Sequence, residues 1–175
     1  EFVGMFGNGA ILSGDTMYTQ DICASPSTIT ISMWINLLEP VLPNSFIALQ
    51  KLDVNSNVVF GIKTDANNGL CFEFLGTDGL THSYSTPIYV NSTNSWMFIG
   101  FVFDGTKNYV SINGNYALVE PVGVGIKYAG PVNAGEGKWA LINSNAIIDD
   151  LRIAQVARNK DWFKCVYKLG INQYP

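Results

Sequence analysis

The stretch "STITISMWINL" (27–37) limits this chain to a narrow set of folds. Ile29, Ile31, Met33 and Ile35 alternate with Thr30, Ser32, Trp34 and Asn36. Successive side chains of a strand point to opposite faces, so this period of two predicts a strand with one face in a core. The same kind of pattern recurs along the chain. "SFIALQKL" and "NVVFGIKT" flank a polar "DVNSN", which reads as a hairpin loop. In "LCFEFLG", Leu70, Phe72 and Phe74 share one face. "NSWMFIGFVFDG" is apolar throughout and predicts a strand buried on both faces. In "YVSINGNYALV", Asn113-Gly114 lies between two alternating segments, the strongest short hairpin signal in the chain. "KWALIN" and "AIIDDLRIA" supply the last strands, after a Gly- and Pro-rich loop over 120–137.

Helical periodicity is nearly absent. Only "ARNKDWFKCVYKLG" carries it, with Trp162, Cys165 and Val166 at i, i+3 and i+4. The expectation is an all-β, antiparallel, two-sheet sandwich of the jelly-roll kind. One short helix within Ala157–Leu169 closes an end of it. At 175 residues the whole chain, 1–175, reads as a single domain with a sizeable core. The opening "EF" has the look of a tag or processing remnant over 1–3.

Composition narrows the functional classes. Charged residues make up only 14%, against roughly 25% in an ordinary globular protein. Asn, Ser, Thr and Gly must therefore cover much of the surface, which suits an extracellular, cell-surface or particle-surface setting. Net charge is -4 and the Lys and Arg read as scattered, so a nucleic-acid partner has no support. No apolar run approaches the roughly 20 residues of a membrane span. The three cysteines, Cys23, Cys71 and Cys165, lack paired metal-ligand spacing and read as buried small apolar residues. His82 is the sole histidine and has no evident nucleophile. Trp34 and Trp96 are expected in or beside the core.

Several segments together resemble a known family. They are "MFGNGAILSGDTMY", "TITISMWINL", "SWMFIGFVFDGTKNYVSINGN" and "IIDDLRIAQVARNKDWFKCVY", in that order. The chain resembles the LamG-like, pentraxin-like jelly rolls of the concanavalin A type over about residues 4 to 168. That resemblance implies the sandwich and says little about a ligand. Its members include lectins, adhesion modules, and sugar-binding appendages of glycosidases. It also implies a structural calcium (Ca2+) with Asp15 and Asp149 as side-chain ligands. Thr16 stands where many members carry a second acid.

The adjacent acids Asp149 and Asp150 pose the sharpest question. Neighbouring strand residues point apart, so they do not form the facing pair that glycoside hydrolysis needs. Glu73 has no second acid nearby. Two readings stay open. In one, Asp149 helps hold calcium. In the other, Asp150 pairs with Arg152 while Asp149, sharing a face with Leu151, turns inward and accepts hydrogen bonds from the opening loop.

Glycan sites combine aromatic platforms with amides and carboxylates. The candidates are Tyr84, Tyr89, Tyr116, Tyr128 and Trp139, with Asn113, Asn115 and Asn133. The plainer reading of each Tyr is a half-buried strand residue with its hydroxyl in water. Asn91-Ser92-Thr93 is a glycosylation sequon, meaningful only in a eukaryotic secretory route. The reading is a non-catalytic binding or adhesion module, its partner a glycan or a surface protein. The rival is a structural or assembly domain making protein–protein contacts in a surface appendage or particle.

Overall fold

Alternating residues become strands here because each strand can bury an apolar row. In the computed structural model the described residues are 3–4, 7–8, 10–12, 17–20, 28–53, 57–89, 94–119, 124, 138–141 and 146–173. The strands are β1 (Val3–Gly4), β2 (Gly7–Asn8), β3 (Ala10–Leu12), β4 (Met17–Gln20), β5 (Ile29–Leu37), β6 (Phe46–Leu52) and β7 (Val58–Thr64). They continue as β8 (Gly69–Leu75), β9 (Thr81–Tyr89), β10 (Trp96–Phe103), β11 (Asn108–Ile112), β12 (Asn115–Val119), β13 (Lys138–Leu141) and β14 (Ala146–Ala154). One helix follows, α1 (Lys160–Gln173).

Two six-stranded sheets stack face to face, in the orders β12-β11-β10-β5-β14-β3 and β4-β13-β6-β7-β8-β9. The pairings are antiparallel throughout, and β1 with β2 forms a separate ribbon. The opening and closing segments meet, since β3 lies against β14 with Ala10 opposite Ile148 and Leu12 opposite Ala146.

The core between the sheets is made by the alternating rows. Ile31, Met33 and Ile35 of β5 and Ile99 and Phe101 of β10 meet Phe60, Ile62, Phe72 and Phe74 from the other sheet. Phe101 sits at the centre, its ring 5.2 Å from Phe60 and 5.7 Å from Phe72. Fully burying each such side chain stabilises the fold by about 1.5–3 kcal/mol.

The outer face of the β5–β10 sheet is buried too, which the alternation of β5 did not foretell. Trp34, Phe98 and Val102 are covered by Phe163 and Val166 of α1, and Tyr167 stacks on Trp34 at 5.8 Å. Two glycines let the helix come this close. A Cβ on Gly100 would lie 2.2 Å from the Phe163 ring, and one on Gly170 would lie 2.2 Å from the Trp34 ring.

Three sequence expectations need correction. First, α1 runs to Gln173, beyond Leu169, and lies over a sheet face instead of closing an end. It starts at Lys160 because the Asn159 side chain accepts the Trp162 N–H at 3.0 Å and caps the first turn. Second, its buried face is Phe163, Val166, Tyr167 and Gly170, and Cys165 is exposed. Cys71 is buried, both thiols are free, and Cys23 lies outside the described residues. Third, β14 is not a regular strand. Asp149 is level with Trp34 but Arg152 with Ser32, so one extra residue bulges between them. Asp150 takes up the strain at a φ of 49°. The alternation breaks there. Ile148 and Leu151 both pack toward the core between the sheets, while Asp149 falls on the outer side with Trp34. Asp149 and Leu151 therefore do not share a face. The expected pair of Asp150 and Arg152 forms, with Arg152 Nη2 2.8 Å from Asp150 Oδ2.

Candidate binding cleft

The Asn-Gly turn decides which side chains meet. Asn113 and Gly114 have φ values of 50° and 77°, the left-handed pair of a two-residue hairpin turn. The Asn113 side chain also accepts the Phe98 N–H at 2.9 Å, which ties the turn to β10. The turn sets Ile112 opposite Asn115 and Ser111 opposite Tyr116. Tyr109 and Tyr116 thus become diagonal neighbours on the outer face, and their rings stack at 4.9 Å with 22° between planes.

These rings form one wall of an open cleft of about 510 Å³. The segment between β14 and α1 forms the other, with Arg158 and Asn159, together with Lys160 at the start of α1; Asp104 lines the cleft as well. Tyr116 donates its hydroxyl to the Arg158 carbonyl at 3.2 Å and so ties the two walls together. Arg158 lies over the Trp162 ring, 5.4 Å from its centre, and Arg152 lies 5.8 Å from the same ring. Leu118, opposite Tyr109, is exposed and extends the apolar strip at the sheet edge.

Burial raises the Tyr116 phenol, and the neighbouring Tyr109 and Asp104 add to it. Burial raises Tyr109 too, followed by the Asp104 charge and its hydrogen bond. Both hydroxyls remain protonated at neutral pH and act as donors and acceptors. Partial burial pushes Asp104 upward, but the N–H groups of Thr106 and Lys107 outweigh it and hold the carboxyl below its ordinary value. Asp104 is therefore an anion, unsuited to act as a general acid. It is the one carboxylate lining the cleft among the described residues.

The sequence candidates fall in different places. Tyr116 is in the cleft. Asn113 is spent on the turn, and Asn115 is exposed on the opposite face of β12 from Tyr116. Tyr84 is buried in β9, its ring 5.6 Å from Phe74, which leaves it no surface for a ligand. Trp139 and Tyr89 lie on β13 and β9 of the other sheet. Tyr128 and Asn133 lie outside the described residues, as do Asp15 and the sequon at Asn91. Trp34 is fully buried and Trp96 packs beside it. Glu73 is occupied by Lys63 and by the Ser83 hydroxyl at 3.0 Å. His82 pairs with Asp78 at 2.9 Å. Sequence reasoning missed Tyr109, Asp104, Arg158, Asn159 and Lys160.

The calcium that the family resemblance implies would use Asp15 as well as Asp149, and Asp15 lies outside the described residues. The Asp149 Oδ1 accepts the Asp150 N–H at 2.7 Å. From Ala10 to Leu12 the opening strand runs away from Asp149, because Leu12 is level with Ala146. Among the described residues no cluster of three acid, His or Cys side chains is placed to hold a metal.

The Lys and Arg are not scattered either. Arg152, Arg158, Lys160, Lys164 and Lys168 are five of the chain's ten basic residues, and Asp161 is the sole acid after Asp150. On α1 the three lysines repeat every four residues and form one exposed stripe.

The family model described as the concanavalin A-like lectin/glucanases superfamily matches residues 12–162. No curated protein sequence matches the chain. Among solved structures, domain 4 of AbnA, a GH43 extracellular arabinanase from Geobacillus stearothermophilus in complex with arabinotriose, is similar at a TM-score of 0.69 and 20% identity. The match covers 95% of this chain and 79% of that one. The binding domain of Paraclostridial Mosquitocidal Protein 1 is similar at 0.71 and 16%, over 98% of this chain and 45% of that one. The receptor binding domain of botulinum neurotoxin D gives 0.61 and 15%, over 92% and 43%. The chain spans less than half of these toxin domains, and at such identities the likeness is one of fold. No described helix is long and apolar enough to cross a membrane.

Proposed function

The chain belongs to the concanavalin A-like lectin/glucanases superfamily, and from that premise we propose that it is a non-catalytic module binding glycans outside the cell. The observation that carries this reading is the cleft between the stacked Tyr109 and Tyr116 and the start of α1. Sugar rings present C–H faces suited to an aromatic wall and hydroxyls suited to amide, guanidinium and carboxylate partners. Arg158, Asn159 and Asp104 supply those partners. Hydrolysis would need two carboxyls facing across the cleft, and Asp104 is ionised with no partner acid in its lining. Fold likeness to a domain solved with arabinotriose and to toxin binding domains supports a binding role. The extracellular description of the arabinanase agrees with the low charge content and suggests an extracellular or surface setting.

A glycan array probed with the wild-type chain and with Tyr116→Ala tests the reading. Saccharide signals that fall with Tyr116→Ala are expected. An array without signal for the folded wild type would overturn the glycan reading and favour the protein-contact rival.

A further inference from the structure

From the basic stripe of α1 we infer that the ligand of this cleft is an anionic polysaccharide, carrying a negative charge on successive sugar residues. The inference rests on the glycan reading above. Lys160 is in the cleft wall, and Lys164 and Lys168 continue from it along one flank of the helix. The helical rise spaces them roughly 6 Å apart, of the order of one sugar residue in an extended chain. All three are exposed, and none is ion-paired among the described residues. The stripe stands out in a chain whose net charge is -4. A cationic track on an otherwise acidic protein steers polyanions to one place and repels them elsewhere.

The geometry favours a polysaccharide over other polyanions. The Tyr pair lines the cleft at the end of the track, where a sugar can contact the rings while the chain beyond it follows Lys164 and Lys168. The turn helps to define this path, since a Cβ on Gly114 would meet the Tyr167 side chain at 3.2 Å and the Lys164 Cα at 3.5 Å. A flat anionic membrane would meet the outermost line of the helix, where Asp161 and Lys168 stand one above the other, and would leave Lys160 and the cleft out of contact.

The test measures binding of the full chain to polygalacturonate and to neutral arabinan. Tighter binding of polygalacturonate, weakening as salt rises, is expected. The double variant Lys164→Gln/Lys168→Gln changes two exposed side chains outside the cleft. It should weaken polygalacturonate binding by about tenfold, as expected for two exposed ion pairs. Its arabinan binding should not change. Tyr116→Ala should weaken both. Preference for arabinan, or a double variant that binds polygalacturonate as the parent does, overturns this inference and leaves the glycan reading standing. Tighter binding to phosphatidylglycerol vesicles or to duplex DNA than to polygalacturonate also overturns it. Binding to neither polysaccharide, with glycan-array signals present, overturns it alone; with the array empty as well, both readings fall.

Discussion

Replacing Gly170 with Ala should destabilise this protein, against the general rule for helices. Gly170 lies inside α1. In an exposed helix interior, Gly→Ala stabilises by about 0.5–1 kcal/mol, because Ala gives up less backbone entropy on folding. Here the added Cβ would lie 2.2 Å from Cζ2 of Trp34 and 2.9 Å from Cε2. Trp34 has no room to retreat, being fully buried and packed on Phe98 at 5.1 Å. Overpacking a filled site costs about 1–3 kcal/mol. Set against the helix gain, the net loss reaches about 2.5 kcal/mol, a fall in Tm of up to roughly 10 °C for a domain of this size. Differential scanning calorimetry reads it directly. Trp34→Phe removes the part of the ring that the new methyl would strike. The two substitutions should therefore show a favourable coupling in a double-mutant cycle. A Tm that rises in Gly170→Ala would mean that α1 does not dock on β5, and the cleft built by that docking would go with it.

Three further outcomes follow from the same packing and charges. Phe163→Ala should cost about 3–5 kcal/mol in denaturant unfolding, since it removes the ring that covers Phe98 and fills the notch at Gly100. Asp78 and Asp104 are held below the ordinary carboxylate value of 3.8, Asp78 first by the Leu80 N–H and then by His82, Asp104 by the bonds that outweigh its burial. A depressed folded pKa gives stability that is present above the unfolded value and is lost as pH falls through the folded one. Stability measured by urea titration should thus decline below about pH 4, and Asp104→Asn should flatten that acid limb. Melting temperatures with EGTA and with added calcium separate the two readings of Asp149: a rise with calcium that Asp149→Ala abolishes places a metal at that acid, and coincident melts leave the hydrogen-bonded carboxylate.

Much of the sandwich was legible in the residues because burial imposes period two on strands. β5, β10 and the β11–β12 hairpin fall where alternation and Asn113-Gly114 place them. The cleft was only half legible. A two-residue turn at Asn113-Gly114 forces Tyr109 and Tyr116 onto one face, so their meeting was readable from the register alone. Their partners Arg158, Asn159 and Lys160 arrive through tertiary packing of α1, which no local pattern announces. The phase of α1 misled, because Cys165 is apolar yet exposed, Trp162 is only half-buried at the margin of the docked face beside Phe163, and Gly170 marks that face by having no side chain. With the helix misphased, Lys160, Lys164 and Lys168 did not read as a stripe. The bulge at Asp150 was hidden as well. Its left-handed backbone is tolerated by Asp and carries no Gly to signal it.

The central claim is that saccharide enters between the β11–β12 hairpin and the start of α1. An amide NMR titration with the strongest saccharide from the array tests it most directly. The account predicts the largest shifts at Tyr109, Tyr116, Arg158 and Lys160. Shifts confined to the β4-β13-β6-β7-β8-β9 sheet, with those four residues silent, would contradict it.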